Sequence, residues 1–170
     1  MQSPLSLEAI EEIDFEVAKR DFKFFFEEIL GFQLSWHHEQ WFNNPKTKAV
    51  LISHSLHQSI HHMRTLNDLI DSVPFLAKMK KPDSWSKTFF GFANGSNISA
   101  KSVGGAIRGI HPDLILCDDI LWGTTDTELA RVASWFYEVL VPTLHHTSKL
   151  MIVGTPFTPT DLYTELDSRD

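Results

Sequence analysis

The sequence predicts an α/β protein with a mainly parallel sheet and helices on both faces, and three observations predict it. Short apolar runs of strand length occur at Ala49 to Ser53, Leu114 to Cys117 and Leu150 to Val153. They are separated by stretches whose apolar residues recur every three or four positions, the period of a helix with one buried face. The last two runs end in residues suited to ligand contact, Asp118-Asp119 and Gly154-Thr155, and parallel sheets gather ligands at the carboxyl ends of their strands.

Each element follows from its own pattern. Phe15, Ala18, Phe22, Phe25, Phe26 and Ile29 give an amphipathic helix ended near Gly31, and a short helix over Ser35 to Phe42 is stopped by Asn43-Asn44-Pro45. Ala49 to Ser53 is a buried strand. Ser55 to Ile70 is a helix with Leu56, Ile60, Met63, Leu66 and Leu69 or Ile70 on its inner face. Lys78 to Ser86, with several lysines and serines and Pro82, reads as a surface loop. Thr88 to Phe92 and Ile98 to Ala100 flank Asn94-Gly95, a strong hairpin signal. Thr125 or Asp126 caps a helix reaching about Val141, before Pro142. After the strand Leu150 to Val153, Thr160 caps a closing helix whose Asp161 lies near its positive end.

Composition bounds the class. At 170 residues and 42% hydrophobic content the chain is expected to form a single domain spanning residues 1–170. A net charge of −7 and a pI near 5.7 argue against a nucleic-acid surface over the whole domain, so any contact with DNA is local or supplied by a partner. The one cysteine, Cys117, sits in an apolar run and reads as core packing, with no internal disulfide to form. The N-terminal residues lack the pattern of a secretory signal, and no stretch approaches the ~20 apolar residues of a membrane span.

The chemistry concentrates at Asp118-Asp119. A buried strand running into two adjacent carboxylates is the second phosphate-site motif of P-loop NTPases, in which the first acid holds Mg²⁺ and the second polarises the attacking water. A turn with a helix-capping acid is the plainer alternative. Adjacent carboxylates repel unless a cation neutralises them, which favours the metal. The companion loop GxxxxGK[ST] occurs nowhere in the sequence. Lys46-Thr47 has Pro45 before it and a strand after it, whereas a phosphate loop follows a strand and opens a helix.

The stretch from Ser102-Val103-Gly104-Gly105-Ala106-Ile107-Arg108-Gly109 through His111-Pro112-Asp113 to Leu116-Cys117-Asp118-Asp119 resembles the large terminase subunits of tailed bacteriophages, the motors that pump DNA into procapsids. The likeness extends to Val50-Leu51-Ile52-Ser53-His54-Ser55 with Gln58, to Trp85 ahead of Phe92-Ala93-Asn94-Gly95-Ser96, and to Val153-Gly154-Thr155-Pro156 with Asp161-Leu162-Tyr163. It covers residues from about Asp14 to Leu166, and its specificity lies in the order and spacing of the pieces.

The resemblance implies a P-loop NTPase fold of the additional-strand, RecA-like type, with the first strand and its phosphate loop missing between Trp41 or Phe42 and Asn44-Pro45-Lys46. It implies Mg²⁺ and ATP as cofactors, Asp118 as the metal-holding acid and Asp119, in place of the usual Glu, as the water-activating base. Gly154 and Thr155 match the motif that senses the γ-phosphate. Arg108 matches an arginine finger reaching a neighbouring subunit's nucleotide, and Gln40, among Trp36, His37, His38 and Trp41, matches an adenine contact. Double-stranded DNA, the portal protein, the small terminase subunit and a homo-oligomeric ring are the implied partners, in the host cytoplasm and with no membrane. The usual C-terminal nuclease domain is expected to be absent, leaving a truncated ATPase domain.

Two other classes fit the same residues. One is a non-catalytic interaction module derived from a terminase, and the other is a small metal-dependent phosphohydrolase using Asp118, Asp119 and nearby histidines. Of the nine histidines, His54, His57 and His61 have the spacing of one helix face, which suggests zinc. His54 is expected at the strand end, outside the helix, and no cysteine lies near, so polar surface is the stronger reading.

Overall fold

A computed structural model describes residues 46–72, 74–123 and 125–168. The expected helices over residues 15–29 and 35–42, and with them Gln40, lie outside the described residues. The described elements are β1 (Lys48–Ser53), α1 (Leu56–Ser72), α2 (Pro74–Lys78), β2 (Lys80–Ser86), β3 (Phe89–Phe92), β4 (Asn97–Ser102), β5 (Leu114–Asp118), α3 (Asp126–Trp135), β6 (Lys149–Val153) and α4 (Leu162–Asp167). They form an α/β fold around one six-stranded mixed sheet of order β2-β3-β4-β1-β5-β6. β4, β1, β5 and β6 run parallel, and β2 and β3 are antiparallel additions beside β4.

Helices cover both faces, as the alternation of elements predicts. Val50 and Ile52 of β1 and Ile115 and Cys117 of β5 point to one side, where Leu129, Val132 and Trp135 of α3 complete a core with Phe136 and Leu140. On the other side Met63 and Ile70 of α1 close a second cluster with Phe90 and Ala100, packed by Leu51, Leu66 and Trp85. Residues alternate between the faces with a period of two, so Ser53 and Asp118 fall on the α1 side.

The inner face of α1 carries Met63, Leu66 and Ile70 as expected, but loses Leu56 and gains Ser59. Leu56 and Leu69 are 43% and 57% exposed, while Ser59 is fully buried beside Met63 and Ile70. The cause is a hydrogen-bond requirement at the strand ends. The Ser59 hydroxyl accepts the Ser53 N–H at 3.0 Å and donates to the Lys101 carbonyl at 2.6 Å, tying α1 to β1 and β4 at once. That rotation sets which α1 side chains overhang the sheet's carboxyl edge.

Lys80–Ser86, read from sequence as a loop, is an edge strand. Its polar composition and Pro82 suit a strand that needs hydrogen bonds on one side only. The register to β3 shifts between Lys80 and Trp85, and Trp85 stacks on Phe90 at 4.1 Å between ring centroids. The Lys80 ammonium and the Trp85 indole N–H both donate to the Asn67 amide oxygen, pinning the strand to α1.

The hairpin expected at Asn94-Gly95 forms between β3 and β4, with Gly95 at φ +88°. Thr125 caps α3 with a reciprocal capping box to Glu128. The helix leaves α geometry after Trp135, widening over Phe136–Leu140 before a tight turn at Val141–Thr143. Pro142 accounts for this, since its ring crowds the carbonyl four residues back and it offers no N–H. Asp161, rather than Thr160, caps α4, its carboxylate accepting N–H groups from Phe157, Thr158 and Thr164. Among the described residues no helix is long and apolar enough to cross a membrane.

Candidate functional site

The carboxyl ends of β1, β5 and β6 lie side by side, with Ser53 in register with Asp118 and Asp118 with Val153. The residues that follow each strand therefore leave on one edge, which brings His54, Asp119 and Gly154-Thr155 to the same side of the sheet. Asp118 is the last residue of β5, and its side chain is 32% exposed. Its Oδ2 lies 2.7 Å from Nε2 of His62, on α1. The amide nitrogen of Gln58, one turn earlier on that helix, lies 3.3 Å from the same ring nitrogen.

Asp119 adopts a left-handed conformation at φ +46°, one of two non-glycine residues among those described to do so. Aspartate tolerates this region better than most residues. Both ends of its peptide frame are tied. Its N–H donates to the Val153 carbonyl at 2.9 Å, and its carbonyl accepts the His54 N–H at 3.3 Å. The turn therefore sends the Asp119 side chain to solvent, away from the core that holds Cys117 and Ile120.

The next two residues are anchored from α4. Tyr163, 8% exposed, accepts the N–H of Ile120 at 2.9 Å and of Leu121 at 3.4 Å on its hydroxyl oxygen. Burial pushes the phenol above its usual pKa, and the negative charge of Asp119 adds to the rise against the lowering effect of the two N–H donors. The ring also passes over Gly154, where any Cβ would collide with it. Gly154 thus has a steric reason to be glycine, independent of any phosphate. Thr155 and Pro156 follow it exposed.

Cys117 is 1% exposed, and burial drives its thiol pKa to about 12, so it is packing and not a nucleophile. Arg108 is exposed between buried Ile107 and Gly109, and among the described residues it forms no ion pair with Asp118 or Asp119. His54, His57 and His61 are all exposed, and α1 begins at Leu56, which leaves His54 outside the helix. Among the described residues no group of three or more His, Cys, Asp and Glu gathers as a metal cage. A cation at Asp118 would draw most of its ligands from water or from phosphate, as Mg²⁺ commonly does.

Sequence reasoning missed His62, Ser59 and Tyr163 as parts of this edge. The available signal was the spacing of Gln58 and His62, four apart on a helix that begins where a ligand-bearing strand ends.

No family model matches the chain. A search of curated proteins finds similarity to the terminase, large subunit, of Enterobacteria phage T3, 29% identical over 137 residues. The match takes in 73% of this chain and 23% of the phage protein, so the chain spans about a quarter of the length of that relative.

Proposed function

We propose that this chain is a relative of the terminase large-subunit ATPase domain that serves viral DNA packaging. The observation that carries the reading is the register Asp118 to Val153, which delivers Asp118-Asp119 and Gly154-Thr155 to one edge from adjacent parallel strands. In this reading Asp118 holds Mg²⁺, which when bound neutralises phosphate charge. Asp119 orients and deprotonates water, Thr155 reports the terminal phosphate, and Arg108 acts on a neighbouring copy's nucleotide. Gln40 contacts the adenine. The edge fits the cation: Asp118 is accessible, and the buried Ser53 hydroxyl in register beside it has no hydrogen-bond partner among the described residues. Double-stranded DNA, the portal protein, the small terminase subunit and a ring of like chains are the proposed partners, in the host cytoplasm.

A second reading, an interaction module without catalysis, has its own observation. β6 pairs only with β5 among the described residues, and Met151 and Val153 on it are 40% and 57% exposed. The sequence also lacks the lysine loop that would hold a triphosphate.

Calorimetry with Mg-ATP decides between them. The ATPase-domain reading expects weak binding, at a Kd of about 0.1–1 mM, lost in Asp118→Ala, with hydrolysis near background. Binding indifferent to Asp118, or none at all, leaves the interaction module. Micromolar binding with turnover abolished by Asp118→Ala or Asp119→Asn makes the chain an ATPase in its own right, with Lys46 and Arg108 the first residues to test for the lysine's work.

A further inference from the structure

The Asp118 carboxylate has one imidazole in contact with it, and one buried hydroxyl lies in register on the neighbouring strand. His62 Nε2 stands 2.7 Å from Oδ2, and both side chains are about one-third exposed, so an ion can approach from solvent. Ser53 is 0% exposed, in register with Asp118 on the same face, and its Oγ has no hydrogen-bond partner among the described residues. A buried hydroxyl left unpaired is unfavourable. It therefore has bonding capacity to spare for a ligand, or a ligand's water, at Asp118.

We propose that His62 and Asp118 together form a divalent-cation site that prefers a first-row transition metal ion to Mg²⁺, with Ser53 hydrogen-bonding to water on the bound ion. The inference rests on reading Asp118 as the cation-holding acid and adds the identity of the cation.

Donor chemistry carries the preference. Mg²⁺ selects oxygen ligands and keeps its waters, whereas an imidazole nitrogen favours ions from Mn²⁺ through Zn²⁺. Two donors that share one ion at about 2.1 Å stand about 3.0 Å apart in an octahedral arrangement and about 3.4 Å apart in a tetrahedral one. The His62–Asp118 pair at 2.7 Å opens by about 0.3 Å for an octahedral ion such as Mn²⁺. His62 is already directed there by its helix, since buried Ser59 fixes the rotation of α1 and His62 follows one turn later. The Gln58 amide nitrogen, 3.3 Å from the same Nε2, gives up that contact when an ion takes the ring nitrogen.

The test uses the full chain with metal ion alone. Mn²⁺ binding is measured by paramagnetic resonance, and Mg²⁺ affinity by competition, for the wild type, His62→Ala and Asp118→Asn, with circular dichroism confirming the fold. The expected result is Mn²⁺ preference in the wild type, a loss of Mn²⁺ affinity of at least about tenfold in His62→Ala with Mg²⁺ changed less than about twofold, and loss of both ions in Asp118→Asn. Ser53→Ala weakens both ions alike while leaving the preference in place. Unchanged Mn²⁺ affinity in His62→Ala overturns the proposal, as does tighter binding of both ions, which makes the imidazole a competitor. Because no nucleotide is present, the two readings fail separately: a wild type that binds Mn²⁺ through His62 but never Mg-ATP keeps the cation site and loses the ATPase reading. An Asp118-dependent Mg²⁺ site indifferent to His62 does the reverse.

Discussion

The hydroxyl of Tyr163 accepts the backbone N–H of Ile120 at 2.9 Å across 43 residues of chain. This bond ties the segment leaving the Asp118-Asp119 pair to α4, while the same ring closes over Gly154. The ends of β5 and β6 are thereby held by one side chain.

Tyr163→Phe keeps the ring and removes the acceptor, leaving the buried Ile120 and Leu121 N–H groups without it. A destabilisation of about 1–3 kcal/mol is expected in urea unfolding. Gly154→Ala instead forces the ring aside and is expected to cost about 1–3 kcal/mol as overpacking. In the Tyr163→Phe background the Gly154→Ala cost should shrink, because the hydroxyl is among the atoms a Cβ would strike. Full additivity of the two changes would disprove their coupling.

Asp161 gives the acid limb of stability. Burial by itself would raise its pKa, but N–H donors from Thr164, Thr158 and Phe157 and the Thr164 hydroxyl together bring it below the ordinary 3.8. A carboxylate with a depressed folded pKa contributes stability that is fully present above 3.8 and is lost as pH falls through the lower folded value. Asp161→Asn should therefore cost about 1–3 kcal/mol at pH 7 and flatten the stability profile at acidic pH. Unfolding curves collected from neutral to acidic pH check both, and a mutant profile parallel to the wild type would count against the assignment.

Ser59→Ala removes the acceptor of the Ser53 N–H and the donor to the Lys101 carbonyl in one step. About 1–3 kcal/mol of stability should go with them. The readout beyond stability is amide exchange, which should rise at Ser53.

Met151 and Val153 project from a strand that pairs on one side among the described residues. Replacing either with Lys places a charge on that edge and should suppress concentration-dependent association in light scattering while changing stability by no more than about 0.5 kcal/mol. A folded variant that self-associates as the wild type does would show that this edge is not the contact.

What could be read from the sequence depended on whether a residue's neighbours along the chain were also its physical environment. The parallel strands were legible because β1, β5 and β6 are apolar runs, and the hairpin because Asn94-Gly95 favours a tight turn. β2 was not, because it becomes a strand through Trp85 stacking on Phe90 and Lys80 and Trp85 reaching Asn67, contacts between segments that no local pattern encodes. Met63, Leu66 and Ile70 of α1 face the sheet as their spacing predicts, but hydropathy marks Ser59 as an outward residue, while two backbone groups at the strand ends draw it inward. His62 was hidden for the same reason, being one histidine among nine until the helix rotation was known. The positions of Asp118, Asp119, Gly154 and Thr155 at strand ends were legible because a strand end is a local feature.

Cys117 gives the edge a chemical clock of its own. The thiol lies one residue before Asp118 on a strand flanked by β1 and β6, and at 1% exposure it meets a reagent only when β5 loosens. With one cysteine in the chain, the rate of thiol labelling in native buffer reads the opening of that strand without an introduced probe. A molecule at Asp118 that binds only the closed strand slows the reaction as its occupancy rises.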